Sequence, residues 1–135
     1  MENVNFAPYI DSLDGLVRKA CAHLEGNLDE EQIELYDLAF VQAELLAART
    51  LMSQTEQTAQ LLPVCQFFCA NAIVTITQKF AVRPQTFGLT AAELPSLDAL
   101  QEFLAPQAIA ALGQQYLERG LVDDSLDDEK RIIRD

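Results

Sequence analysis

The stretch EEQIELYDLAFVQAELLAARTLM, Glu30 to Met52, decides the fold class of this 135-residue chain. It consists mostly of Leu, Ala, Glu, Gln and Arg, which are strong helix formers. Asp29 followed by Gln32 resembles a capping box, and Glu30 with Glu31 complements the positive end of a helix dipole. We therefore expect one long helix over residues 29–55, roughly 39 Å long at a rise of 1.5 Å per residue.

Three more helices are predicted from apolar residues at spacings of three and four and from the placement of helix breakers. Pro63 and Pro106 are expected in the first turns of two of them, where proline is tolerated. Gly26 is expected to end the first helix in a left-handed conformation. The three helices are expected over residues 7–24, 61–80 and 106–119.

Between the third and the last helix, short helical turns are expected to begin at Thr90 and Ser96, since each is a suitable N-cap followed by acidic residues. The chain is therefore predicted to be all-α, an up-down helical bundle of about four long helices plus short helical turns. The bundle is expected over residues 1–122 and an acidic C-terminal tail over 123–135.

The composition is that of a globular domain, with 50% hydrophobic and 22% charged residues. The formal net charge of −12 excludes nucleic acid as a natural partner and argues against anionic membranes, because both need Lys and Arg. No charged residue lies between Gln57 and Gln78. Polar residues interrupt this run, so it predicts a central bundle helix and not a membrane span. The expected location is the cytoplasm.

Residues for catalysis or metal binding are scarce. His23 is the single histidine, and its place near a helix C-terminus suits a capping role. The three cysteines, Cys21, Cys65 and Cys69, are set among apolar neighbours and are expected to be small buried hydrophobes. No phosphate-binding loop and no nucleophile motif is present. We therefore expect no catalytic, cofactor-binding or metal-binding residue in this segment.

The long helix has apolar residues on two sides. The broader side, here called the 33–51 face, is expected to face the core, since Glu34, Gln42 and Arg49 lie opposite. A second line, here called the 38–52 row, runs down the middle of that polar half. The 33–51 face consists of Ile33, Tyr36, Phe40, Ala43, Ala47 and Leu51. The 38–52 row consists of Leu38, Val41, Leu45 and Met52.

The 38–52 row has two interpretations. It packs on another helix of the same domain, or it is an interface with a partner subunit or a neighbouring domain. In the second case Leu45→Glu would leave a folded domain that has lost its docking contact. In the first case that variant would unfold. We take Leu38, Val41, Leu45 and Met52 as the candidate interface residues.

The segment from Glu30 to Met52 resembles a helix in the C-terminal part of acyl-CoA dehydrogenases, with Leu35-Tyr36-Asp37-Leu38 followed by an Ala-rich stretch. The later order is also similar to that of the very-long-chain enzymes. A Thr-Ala-Gln entry at 58–60 precedes the uncharged helix, and Leu-Glu-Arg-Gly at 117–120 ends the last one.

The resemblance implies a parent flavoenzyme that oxidises fatty acyl-CoA to enoyl-CoA with FAD. Its catalytic and flavin-binding residues would lie in upstream domains, so none is carried over to this chain. The chain would be an accessory domain that docks on those catalytic domains, forms a homodimer, or does both. The alternatives are a free-standing helical adaptor and a carrier of a small apolar ligand held beside the uncharged helix. An upstream reading frame for the dehydrogenase would distinguish the first from the second.

Overall fold

A computed structural model describes residues 4–27, 32–55 and 61–119 of the chain. It contains four α-helices joined by short 3₁₀ segments, and the described residues contain no strand. The predicted all-α class is confirmed. The expected acidic tail, 123–135, lies outside the described residues. The helices are α1, Ala7–Leu24; α2, Gln32–Thr55; α3, Leu62–Val82; and α4, Pro106–Arg119.

Local sequence accounts for most of these boundaries. Pro8, Pro63 and Pro106 each lie in the first turn of a helix, where the missing N–H costs nothing. The bounds of α1 and α4 agree with the prediction, and α3 extends two residues further than expected, to Val82. The start predicted for α2 falls partly on residues 28–31, which lie outside the described residues.

The expected left-handed glycine after α1 is wrong. The chain continues from Leu24 into a 3₁₀ segment, Glu25–Asn27, and does not turn into the left-handed region at Gly26. Gly88 is the one residue with positive φ in the described ranges, at 70°. It ends the 3₁₀ segment Pro84–Phe87. A tight turn after α3 therefore takes the conformation that was expected after α1.

Two further 3₁₀ segments connect this turn to α4. The first, Ala91–Glu93, begins after Thr90 as predicted, and the backbone N–H of Thr90 donates to the Glu93 carboxylate over 2.8 Å. The second, Asp98–Leu104, begins two residues later than the expected cap at Ser96. Together these segments place Leu100 and Phe103 in the core.

Helices α1, α2 and α3 alternate in direction. The guanidinium of Arg49, late in α2, reaches the carboxylates of Asp11 and Asp14, early in α1, at 2.9 and 2.6 Å. The Sγ atom of Cys69, early in α3, lies 3.5 Å from the carbonyl oxygen of Ala48, late in α2. Helix α4 contacts the rest mainly through Asp98–Leu104. The up-down pattern thus describes α1 to α3, and a four-helix up-down bundle is not established.

The core lies where α1, α2 and α3 meet, and the 3₁₀ segments close one side of it. Two aromatic pairs join the helices to those segments. Phe6 and Phe103 have ring centroids 5.6 Å apart, and the rings of Phe80 and Phe87 meet edge to face at 5.1 Å. Such pairs stabilise by about 0.5–1.5 kcal/mol beyond the area they bury.

Within the described ranges, no helix combines the length and the apolar character that crossing a bilayer requires.

Candidate interaction surface

The 38–52 row lies inside the protein. Leu38, Val41 and Leu45 are buried in the core, and Met52 is partly buried against it. Since α1 and α3 of the same chain cover Leu38, Val41 and Leu45, the row does not form an exposed surface for a partner. Of the two interpretations, packing within the domain is the one that the structure shows. The assignment of these four residues as interface residues is corrected accordingly.

The 33–51 face, expected in the core, lies on the outside. Ile33 is 71% exposed, Tyr36 69% and Phe40 64%. Ala43 is also exposed, while Ala47 and Leu51 are half-buried. The side of α2 expected in the core is therefore exposed, and the side expected to be exposed is in the core. Three large apolar side chains in one line on a helix, each mostly in water, form the kind of patch that marks a contact site.

The charges of α2 lie along its contacts with neighbouring helices. Glu34 approaches Arg83 at 3.9 Å, Asp37 approaches Lys79 at 3.9 Å, and Arg49 binds α1. The remaining charged residue, Glu44, is half-buried. The outward side of α2 is left without charge between these contacts. This pattern is typical of a helix that is packed on two sides.

The outward side of α3 is uncharged as well. Its exposed residues recur at spacings of three and four, and the one charged residue of the helix, Lys79, is half-buried beside Asp37. In each helix an exposed residue directly precedes the residue of this ion pair. Tyr36 precedes Asp37 in α2, and Gln78 precedes Lys79 in α3. Because the helices are right-handed and antiparallel, both lines turn to the same side of the α2–α3 contact.

We call this combined surface the outer face. Its residues are Ile33, Tyr36, Phe40, Ala43 and Ala47 on α2, and Phe68, Asn71, Thr75, Gln78 and Val82 on α3. By contrast, the outward side of α1 exposes Asp11, Arg18 and Lys19. Depletion of charge is the compositional mark of the centre of a protein interface. The outer face has that mark and the α1 side does not.

A signal in the sequence could have distinguished the two sides of α2. Asp37 and Arg49 flank the 38–52 row. Residues of opposite charge lie at the corresponding heights of the adjacent helices, Lys79 in α3 and Asp14 in α1. Among the described residues of α2, none that is charged borders the 33–51 face on the side away from Asp37. In this chain the charges next to the buried row pair with adjacent helices, so a search for such pairs would have indicated the core side.

The cysteines divide into two groups. Cys65 and Cys69 are buried, as expected, while Cys21 is exposed, so the prediction that all three are buried is wrong for Cys21. Burial raises the pKa of Cys69 to about 12, with a further contribution from Cys65. Burial also raises the pKa of the Cys65 thiol. A buried thiol whose pKa is raised is a poor nucleophile, which makes Cys65 and Cys69 structural residues.

His23 lies in the last turn of α1, as expected, and is exposed. Its side chain covers Gly88, and a Cβ atom built on that glycine would lie 2.5 Å from Cγ of His23. Over residues 4–27, 32–55 and 61–119, no three His, Cys, Asp or Glu side chains are grouped so that they could hold a metal ion.

A polar contact links the 3₁₀ region to α1. The Lys19 ammonium forms an ion pair with the Glu93 carboxylate. This bond, together with the backbone N–H of Thr90, holds the pKa of Glu93 below its usual range. Both side chains are partly exposed to water, so the pair positions the Ala91–Glu93 segment and adds little stability.

A depression of about 400 Å³ lies between the start of α1 and the end of α2, lined by Phe6, Ile10, Met52 and Leu62 among others. It opens to solvent, and Arg49 also lines it. The carrier hypothesis requires a ligand enclosed beside α3. This open depression is not such a chamber.

Comparison with known protein families, with curated proteins and with solved structures finds no match to the chain. The resemblance to acyl-CoA dehydrogenases therefore gains no support from these comparisons.

Proposed function

We propose that this chain is a non-catalytic helical docking module that binds a protein through the outer face of α2 and α3. The observation that carries this function is the exposure of Ile33, Tyr36 and Phe40 in one line on a helix whose other side is already packed. Leaving three such side chains in water forgoes the gain of their burial, about 1.5–3 kcal/mol for each large apolar side chain. A partner that covers them recovers it.

Docking was expected through the 38–52 row, and we now assign it to the opposite side of the same helix. An upstream acyl-CoA dehydrogenase body with its FAD is one partner that this role would suit, as is a partner of a free-standing adaptor. The proposed docking function does not depend on which of these two partners is correct. A cytoplasmic setting suits it, because Cys21 is a free, exposed thiol that a reducing compartment preserves.

A photo-crosslinking amino acid tests the docking function in the cell. p-Benzoylphenylalanine replaces Tyr36 on the outer face in one variant and Arg18 on the charged side of α1 in the control. Irradiation is expected to give one discrete protein adduct from position 36 and none from position 18. Absence of an adduct at 36, or equal adducts at both positions, would show that the outer face binds no protein.

A further inference from the structure

We propose that the partner of the outer face is a second copy of this chain, with α2 lying antiparallel on α2 and α3 antiparallel on α3 about one two-fold axis. This assignment rests on the docking function proposed above. Four features of the outer face support it: the order of large and small residues along the two exposed lines, their common centre, the area and the charge.

The α2 line is complementary to itself when it is reversed. Its first half carries large side chains, Tyr36 and Phe40, and its second half carries Ala43 and Ala47. In an antiparallel pair centred between Phe40 and Ala43, Phe40 of one copy lies against Ala43 of the other. Tyr36 then lies against Ala47. Large side chains thus meet small ones, as close packing requires, whereas a parallel pair would set ring against ring.

The α3 line has its own centre of symmetry. Thr75 lies at the middle, Phe68 lies seven residues before it and Val82 seven residues after it. An antiparallel pair centred on Thr75 therefore places Phe68 of one copy against Val82 of the other, and Thr75 against Thr75. Asn71 and Gln78, at the intermediate positions, face each other and can form hydrogen bonds between their amides.

The two centres lie at the same height in the α2–α3 pair. The residue numbers in the pairs Glu34–Arg83, Asp37–Lys79 and Ala48–Cys69 add up to 116 or 117, which fixes the register of the two helices. A point midway between positions 40 and 43 is therefore level with position 75. One axis perpendicular to both helices passes through both centres. A closed two-fold dimer requires this coincidence, and an unrelated partner does not.

The area is sufficient for a stable dimer. Each exposed line spans 14 residue steps, about 21 Å at 1.5 Å per residue, and the two helices lie side by side. With the reach of the side chains, the outer face measures roughly 600 Å² on each copy. About 1,200 Å² would be buried in total, which exceeds the roughly 1,000 Å² expected of a biological interface.

Charge is the main obstacle to self-association. Most of this obstacle is avoided because the charged residues lie outside the outer face. Each copy has a formal charge of −12, so two copies repel at long range. The outer face has no charged residue, and no like charges are opposed across it. Added salt screens the remaining repulsion. The dimer is therefore expected to tighten as the salt concentration rises, whereas a complex with a basic partner would weaken.

Sedimentation equilibrium of the purified full chain tests the dimer with two matched variants. Ala43→Arg places a long charged side chain opposite Phe40 and is expected to give a monomer with an unchanged circular dichroism spectrum. Ala39→Arg changes another exposed alanine of α2, outside the outer face, and is expected to remain a dimer. The dimer of the wild type should gain at least tenfold in affinity between about 0.02 and 0.5 M salt.

Disulfide cross-linking, in a Cys21→Ser background that removes the exposed thiol, tests the axis. Thr75→Cys alone should form a covalent dimer on mild oxidation, since the axis brings both copies of position 75 together. Gln78→Cys, one turn away, should not. Tyr36→Cys and Ala47→Cys should each remain uncross-linked, and an equimolar mixture of the two should form the mixed dimer.

Three results would overturn the proposed dimer. The first is a folded wild-type chain that stays monomeric at high micromolar concentration in both salt conditions. The second is a dimer that persists in Ala43→Arg, and the third is a dimer that Thr75→Cys fails to cross-link. If the purified chain is monomeric while position 36 yields an adduct with a different protein in cells, docking stands and self-association fails. If position 36 gives no adduct and the purified chain is monomeric, both the docking function and the dimer are excluded.

Discussion

Leu45 and Leu46 are neighbours in the chain, yet Leu45 is 1% exposed and Leu46 is 66% exposed. One helical step of 100° separates a side chain enclosed by α1 and α3 from one in water. The same residue type at consecutive positions therefore gives a matched comparison of core and surface.

Leu45→Ala is expected to lower the free energy of unfolding by about 2–5 kcal/mol, because it removes buried methyl groups and leaves a cavity. Leu46→Ala should change it by no more than about 0.5 kcal/mol. Urea denaturation measures both. Leu45→Glu should unfold the chain, since it would bury an unpaired carboxylate. If the two alanine variants had equal effects, the orientation of α2 described here would be wrong.

Gly88→Ala is expected to destabilise the chain by about 2 kcal/mol or more, for two reasons. A Cβ is disfavoured at a φ of 70°, and it would meet His23 at 2.5 Å. His23→Ala removes the closest atom, so the same glycine substitution should cost less in that background. Thermal unfolding of the four chains in a double-mutant cycle measures the difference.

Gly15→Ala serves as the matched control for Gly88→Ala. It lies within α1, and an added Cβ would meet no atom within 4 Å. It should stabilise the chain by about 0.5–1 kcal/mol, since alanine is the better helix former. A loss of stability at both glycines would show that the His23 contact and the positive φ are not the cause.

Thiol labelling should separate the three cysteines. At pH 8, Cys21 is expected to react readily with a disulfide reagent such as dithionitrobenzoate, since it is exposed. Cys69, with a pKa of about 12, should be almost fully protonated at this pH and also shielded. Cys65 is likewise buried. One equivalent should therefore react in the native chain and three in denaturant. Rapid reaction of a second thiol would contradict the burial of α3.

The titration of Glu93 gives a prediction about pH. Its pKa is lowered by Lys19 and by the backbone N–H of Thr90, so the folded state releases this proton more readily than the unfolded state. The resulting stabilisation is present above the ordinary carboxyl pKa and is lost as the pH falls through the lowered value. Carbon-detected NMR should show Glu93 titrating below the ordinary glutamate pKa. Lys19→Met should raise its pKa, and an unchanged value would exclude the ion pair.

Much of the secondary structure followed from the sequence because its causes are local. Strong helix formers and the absence of breakers predicted α2, and prolines in first turns predicted where α3 and α4 begin. The 3₁₀ turn after Thr90 followed from its capping residues. The end of α1 was misjudged, since a glycine permits a left-handed turn but does not require one.

The sequence by itself determined that this chain is helical and that α2 has two apolar sides. Which side faces the core was decided by the tertiary structure alone. The periodicity of apolar residues within one helix shows which sides are apolar. In α2 both sides are apolar, so periodicity could not distinguish them. The choice depended on residues distant in sequence, since Asp37 meets Lys79, Arg49 meets Asp14, and Ala48 lets Cys69 approach. Those contacts turn Leu45 inward and leave Tyr36 outside, where a partner can reach it.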